Sequence, residues 1–368
     1  MKRWSFSIAT VAGTEVRIHA TFLLLLAFIG WQASQVGGLE AARNAVLFIV
    51  AMFACVLLHE FGHVFAARRY GILTPDITLL PIGGLARLER MPKEPVQELV
   101  VALAGPAVNV VIAGLIIGSI QVMPPVSFDI DPHGRSFFVQ LAQWNIIMVL
   151  FNMIPAFPMD GGRVLRAVLA MLTGNYAKST QWAATIGQGF AVIGAVAAMF
   201  FFKNPFLIII AIFIFLSAGQ EAAYVNEQES MDGMKVRDAM MTNFQTLGDH
   251  SRLQDAVTLL LAGSQHDFPV VDRGGGFVGL LRRKNLISAL SEHGPQHPVA
   301  EVMESCDILL EPQQALTEAM DKLRQSECPA LPVMDPLGGG LRGLLTAENI
   351  GEMIMVRSAM MNRDDRLG

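Results

Sequence analysis

Six separate stretches of this chain approach the roughly 20 apolar residues that an α-helix needs to cross a bilayer. They lie at Ile18–Gln35, Ala45–Ala67, Leu99–Ile120, Phe137–Ile154, Ala183–Phe202 and Pro205–Tyr224. Charge follows the same division. Lys/Arg and Asp/Glu number 14 and 11 through Val225, but 13 and 21 in the shorter remainder. Soluble domains carry about one charged residue in four, and only the part after Val225 comes near that. The chain as a whole is 52% hydrophobic and 16% charged. That composition excludes an ordinary soluble enzyme and a disordered or collagen-like chain. A net charge of −5 leaves no general footprint for nucleic acid. Cys55, Cys306 and Cys328 are too few and too scattered for a disulfide framework or a cysteine zinc cluster.

The expected fold is a polytopic α-helical membrane protein of about six transmembrane helices, followed by a cytoplasmic α+β module. The first apolar run follows a long mixed stretch and no small-residue cleavage site closes it, so it reads as a retained helix and not a signal peptide. Basic residues set the orientation. Arg68, Arg69, Arg87, Arg90 and Lys93 follow the second run, and Arg163, Arg166 and Lys178 the fourth. Arg135 alone, with Asp129 and Asp131, follows the third. The basic loops belong in the cytoplasm, and six spans put both termini there, as in a bacterial inner membrane. The expected divisions are a six-span domain over 1–225, a linker over 226–235, repeats over 236–292 and 299–356, and a tail over 357–368.

The repeats are visible directly. Val236-Arg-Asp-Ala-Met240 matches Val299-Ala-Glu-Val-Met303, and Phe268-Pro-Val-Val-Asp272 matches Leu331-Pro-Val-Met-Asp335. Gly279–Leu286 matches Gly343–Ile350 in the same way. Each unit reads as helix, strand, Gly-rich hairpin, strand and closing helix. Two copies suggest a pseudo-symmetric pair sharing a core. The pattern resembles the tandem cystathionine-β-synthase-type (CBS) module. That resemblance implies an adenine-nucleotide site between the repeats and regulation of the attached domain. Thr346 and Glu348 match the family's ribose-binding pair in part, whereas Arg282 and Lys284 depart from it. The competing reading is a structural module, or one that pairs two copies into a homodimer.

The second apolar run contains Val56-Leu-Leu-His59-Glu60-Phe-Gly-His63. Ionisable groups at membrane depth are costly and mark function. His59 and His63 are four residues apart, one helical turn, so both rings share a face and can bind one metal ion. Glu60 can then sit beside a metal-bound water, as in the H-E-x-x-H pattern of zinc proteases. A catalytic zinc needs a third protein ligand. Asp160, in Asn152-Met-Ile-Pro155-Ala-Phe-Pro158-Met-Asp160-Gly161-Gly162, is the candidate. Its alternative is to cap a helix over Gly162–Leu172.

These two motifs resemble those of the site-2 protease family of intramembrane zinc metalloproteases, over about Ser5–Tyr224. The resemblance implies that His59, His63 and Asp160 ligate Zn2+ and that Glu60 is the catalytic base. It also implies a transmembrane protein as substrate, in the manner of regulated intramembrane proteolysis. Asn109, in Ala104-Gly-Pro-Ala-Val-Asn109, is a candidate oxyanion donor or substrate-backbone contact, against the alternative of polar packing between helices. Gly83 and Gly84, in Leu79-Leu-Pro-Ile-Gly83-Gly84, suit a Gly-kinked strand or re-entrant loop that pairs with extended substrate. Two rivals stand beside this reading. One is a CBS-regulated transporter or channel using the buried His, Glu and Asp as an ion or proton path. The other is a zinc-binding scaffold without protease activity.

Overall fold

The computed structural model describes residues 4–81, 83–86, 92, 94–121, 137–336 and 339–367; of residues 202, 358 and 361–367 it describes only the backbone. Lys2, Arg3, Arg87, Arg90, Lys93, Asp129, Asp131, His133 and Arg135 therefore lie outside the described residues. The chain divides into two units, Met1–Val225 and Asn226–Gly368.

The first unit opens with a hairpin. β1 (Ser5–Val11) and β2 (Thr14–His19) run antiparallel, joined at Ala12 (φ 49°) and Gly13 (φ 77°). Two consecutive positive φ angles give the turn whose twist suits a tight hairpin. α1 (Ala20–Arg69) follows and is broken at Gly37 and Gly38, whose backbone angles are non-helical. A straight helix would put Phe22 and Phe53 about 46 Å apart at its rise of 1.5 Å per residue, yet their ring centroids are 4.5 Å apart. The chain therefore doubles back at the two glycines, and the two arms pack through Phe22, Phe48, Ile49 and Phe53. The first two expected spans correspond to these arms.

β3 (Asp76–Leu80) pairs parallel with β2, and β4 (Gly83–Ala86) pairs antiparallel with β3, giving the order β1-β2-β3-β4. Among the described residues β1 and β4 are the two edge strands. α2 (Pro95–Ile120) begins on a proline, where the missing N–H costs nothing. α3 (Phe137–Asn152) is only 16 residues long. α4 (Asp160–Thr173) stops at Gly174 in the left-handed region. α5 (Tyr176–Ala197) runs into a π-helical turn at Ala198–Phe202, and α6 (Pro205–Ser230) follows. Among the described residues four helices are long and apolar enough to cross a membrane: Ala20–Arg69, Pro95–Ile120, Tyr176–Phe201 and Pro205–Ser230.

The second unit holds α7 (Val236–Ala239), β5 (Leu247–Gly248), α8 (Leu253–Ala262), β6 (Asp267–Val271), β7 (Phe277–Arg282) and α9 (Arg283–His293). After them come α10 (Leu316–Gln325), β8 (Ala330–Met334), β9 (Leu341–Thr346) and α11 (Ala347–Leu367). The repeats exchange edges. Met241 pairs through both backbone groups with Leu344 on β9, and Glu304 pairs in the same way with Leu280 on β7. Each repeat thus extends its partner's sheet, while each keeps its own hydrophobic cluster, one around Phe268, Leu281 and Leu286 and the other around Leu331, Val333 and Leu345.

Three local expectations change. The stretch read as a linker begins as the last turn of α6, because Val225-Asn-Glu-Gln-Glu-Ser230 contains no helix breaker. The stretch read as a tail continues α11, because nothing after Val356 stops a helix before Gly368. Cys306 and Cys328, separated by 22 residues, form a disulfide within the second unit. Cys55 is a buried free thiol.

Candidate metal centre

The second arm of α1 carries His59 and His63 one turn apart, and both rings are 4% exposed. α2 runs against them. Val101, Gly105 and Asn109 lie at successive turns of α2 and form one stripe. That stripe fixes both imidazoles. His63 Nδ1 lies 2.7 Å from the Val101 carbonyl, which can only accept. His59 Nδ1 lies 2.5 Å from Asn109 Oδ1. Asn109 Nδ2 donates to Asn145 Oδ1 at 2.7 Å, and Asn145 Nδ2 donates to the Leu141 carbonyl at 2.8 Å. Because that relay ends on a carbonyl, its direction is set, and His59 Nδ1 must be a donor. Both rings therefore carry their proton on Nδ1 and present an Nε2 lone pair.

Asp160 is the first residue of α4, and the residue before it, Met159, makes no side-chain cap. The capping alternative for Asp160 is thereby replaced. The segment from Met153 to Phe157 folds back over the first turn of α4. A Cβ on Gly161 would stand 2.3 Å from the Ile154 carbonyl oxygen, and one on Gly162 would stand 2.7 Å from Ala156 and Phe157 backbone atoms. Only two glycines allow that approach, and it directs Asp160 towards the histidines. The N-terminus of α4 also favours a carboxylate there.

The three groups converge. His59 Nε2 and His63 Nε2 are 3.1 Å apart, and each is 3.2 Å from Asp160 Oδ2. Asp160 is 6% exposed, and among the described residues its Oδ2 accepts no hydrogen bond. Two lone pairs and an orphaned carboxylate oxygen thus face one another without a proton between them, an arrangement that calls for a cation. Ligands 2.0–2.2 Å from a tetrahedral centre lie about 3.3–3.6 Å apart, within a few tenths of an ångström of the distances here. The donor set fits a zinc ion, with His59, His63 and Asp160 able to hold it.

Gly105 belongs to the same geometry. A Cβ there would lie 2.3 Å from His63 Nε2 and 2.7 Å from His59 Nε2. Glu60, beside the pair, packs under β4, where a Cβ on Gly84 would approach its Cγ to 2.7 Å. Gly83 has a φ of 138° and open space around it, so it turns the chain into β4 without touching the centre.

Two residues singled out in the sequence are fully buried. Asn109 is fully buried behind His59, with its amide oxygen on His59 and its amide nitrogen on Asn145, so its polar atoms are already engaged within the helix bundle. Arg166, read as a loop charge marking the cytoplasmic side, is fully buried on α4. It lies between Glu98 and Glu221. The i, i+4, i+8 spacing of Val101, Gly105 and Asn109 was the available signal for the stripe. In the second unit, the Thr346 hydroxyl meets Asn349 Oδ1 at 2.6 Å, Glu348 is exposed, and Arg282 is paired with Glu304 at 3.1 Å.

Residues 47–131 and 130–196 match peptidase family M50, and residues 236–292 match the CBS domain family. Zinc metalloprotease MJ0392 of Methanocaldococcus jannaschii is 32% identical over 351 residues, covering 94% of this chain and 95% of that protein. The chain belongs to peptidase family M50. A Synechocystis sp. relative with zinc metalloprotease in its name is 30% identical over 370 residues, covering 96% of each chain. A solved site-2 protease, also from M. jannaschii, is 34% identical and covers 60% of this chain and 95% of that one, with a TM-score of 0.44. This M50 peptidase is a zinc metalloprotease, an integral membrane protein with a CBS domain in its C-terminal part. Family membership does not favour the transporter reading.

Proposed function

We propose that this peptidase cleaves single-span membrane proteins at a peptide bond within the bilayer, with His59, His63 and Asp160 holding one zinc ion and Glu60 acting as general base. The observation that carries this reading is the meeting of two Nε2 lone pairs with the unpartnered Asp160 Oδ2, beside Glu60. When bound there by His59, His63 and Asp160, a zinc ion would supply Lewis acidity and would lower the pKa of water towards about 7. Glu60 takes the proton of the attacking water and returns it to the leaving amide nitrogen. Asn109 and the Val101 carbonyl keep both imidazoles in the ligating tautomer throughout. A helical substrate hides its peptide bonds in internal hydrogen bonds, so it must unwind first. β4, an edge strand lying on Glu60, offers backbone groups to an extended segment.

The membrane unit is read as six spans with both termini cytoplasmic, in a bacterial inner membrane. The C-terminal repeats are read as a tandem CBS pair that either binds an adenine nucleotide near Thr346 and Glu348 and so regulates the protease, or serves as a structural module that pairs two copies into a homodimer. Glu60→Gln tests the catalytic assignment. Purified variant protein keeps one zinc per chain and loses at least about a hundredfold in cleavage of a co-reconstituted single-span substrate. Cleavage at the wild-type rate removes Glu60 as the base, and a metal-free wild type that still cleaves removes the whole reading.

A further inference from the structure

We propose that Arg166 is a positioning residue for the metal centre, bolting the helix that carries Asp160 to the helix that orients both histidines. The inference rests on the reading that His59, His63 and Asp160 hold zinc. Arg166 lies six residues after Asp160 on α4 and is fully buried. Its Nε and Nη2 donate to Glu98 Oε1 at 2.8 and 2.5 Å. Glu98, also fully buried, lies on α2 one turn before Val101, the residue that holds His63. Nη1 donates to Glu221 of α6 at 2.6 Å. The guanidinium also lies 4.9 Å from the ring centroids of Phe157 and Tyr176. Phe157 belongs to the segment that folds over the start of α4, three residues before Asp160.

A buried guanidinium is costly, and a hydrophobic residue would pack the same space without desolvation. Its value here is geometric. A planar fork with two donors on one carboxylate oxygen and a third on another fixes direction as well as distance. It reaches three helices and the ligand-bearing segment at once. The histidines are set by α2 through Val101 and Asn109, and Asp160 is set by α4. The separation of these two helices therefore decides whether three ligand atoms meet. Arg166 and Glu98 hold that separation nearly two helical turns from the centre along α4 and α2. Glu98 Oε2 accepts no hydrogen bond among the described residues, so Arg166 is the partner that keeps this carboxylate buried.

The test uses the full-length protein in detergent micelles. Zinc affinity is measured by competition with a chromophoric chelator, and stability of the metal-free form by thermal unfolding in EDTA. The proteins are wild type, Asp160→Ala, Arg166→Lys and the double variant Arg166→Met with Glu98→Gln. The double variant removes both charges and keeps most of the volume. It is expected to melt near the wild-type temperature without metal, and to bind zinc ten- to a hundredfold more weakly. Arg166→Lys keeps charge but not the fork, and falls between the two. If the double variant does not fold, Arg166→Lys alone decides. A folded variant that binds zinc within threefold of wild type overturns the proposal, because a merely structural ion pair would lower stability and leave zinc affinity unchanged. Wild-type protein that binds no zinc, like Asp160→Ala, overturns the metal reading beneath it.

Discussion

Replacing Gly105 by Ala adds one methyl group to α2, at the point where the helix faces both histidines. The new Cβ would lie 2.3 Å from His63 Nε2, 2.5 Å from its Cε1 and 2.7 Å from His59 Nε2, where ordinary contact begins at 3.4 Å. His63 must therefore retreat by about 1 Å, whereas metal–ligand distances tolerate about 0.2 Å. Two routes relieve the clash. The ring can pivot off its hydrogen bond to the Val101 carbonyl, a loss of about 1 kcal/mol. Alternatively α1 and α2 can separate, an overpacking strain of about 1–3 kcal/mol. Either cost is small beside the stability of a typical fold, about 5–15 kcal/mol, so the protein still folds. Either route scatters the ligand atoms. Zinc affinity, measured by chelator competition on purified protein, should fall about a hundredfold or more, with little change in helical circular dichroism. Gly118→Ala on the same helix, where a Cβ meets nothing within 4 Å, is the matched control and should bind zinc as wild type does. A Gly105→Ala protein with wild-type affinity would refute the placement of α2 against the rings.

Asn109→Ala removes the acceptor that holds His59 Nδ1 and should weaken zinc binding about ten- to a hundredfold; an unchanged dissociation constant assigns Asn109 to packing alone. Gly84→Ala pushes a Cβ against Glu60 without touching a ligand. It should leave zinc stoichiometry intact and lower kcat by about a hundredfold, as a displaced catalytic group does, and loss of zinc instead would place β4 differently. In the second unit, hydrogen bonds from Asn285 and then Arg282 hold the Glu304 carboxyl below the usual carboxylate range. A depressed folded-state value contributes stability above the unfolded-state value and loses it as the pH falls through the folded one. The melting temperatures of wild type and Glu304→Gln should thus differ at neutral pH and converge in acid below the ordinary glutamate range. A difference that stays constant into acid rules out the charged pairing.

Legibility tracks how local each constraint is. His59, Glu60 and His63 stand within five residues, and a helix of known pitch converts their spacing into a shared face without tertiary information. Asp160 was legible because a carboxylate near membrane depth needs a partner and two glycines follow it. The N-terminal hairpin was not read, although Thr14-Glu15-Val16-Arg17-Ile18-His19 alternates. Strand pairing with β3 depends on residues some sixty positions away, across the doubled helix α1. Arg166 was misread because counting charge along the sequence treats every arginine near a helix end as solvated. Its burial depends on Glu98 and Glu221, 68 and 55 residues distant. The repeat offset was plain in the sequence, but the exchange of edges at Met241 and Glu304 was not, since each is a single backbone pairing between repeats.

These distant constraints have one helix in common. Glu98, Val101, Gly105 and Asn109 lie along one face of α2, and none of them is a metal ligand. Glu98 ties in the helix of Asp160, Val101 and Asn109 set the two tautomers, and Gly105 leaves the space in which the ligand atoms meet. A bilayer provides little hydrophobic force to press helices together, so close packing and polar contacts must hold them. A ligand set divided between α1 and α4 is accurate only if both are referenced to the same rigid element. Of the four α2 residues, one contributes a backbone carbonyl and another no side chain at all, which is why a search for ligating residue types passes over half the device. The sensitivity of the centre should accordingly be greater along this stripe than at α2 positions off it, and a scan of α2 by zinc affinity should return a period of about four residues.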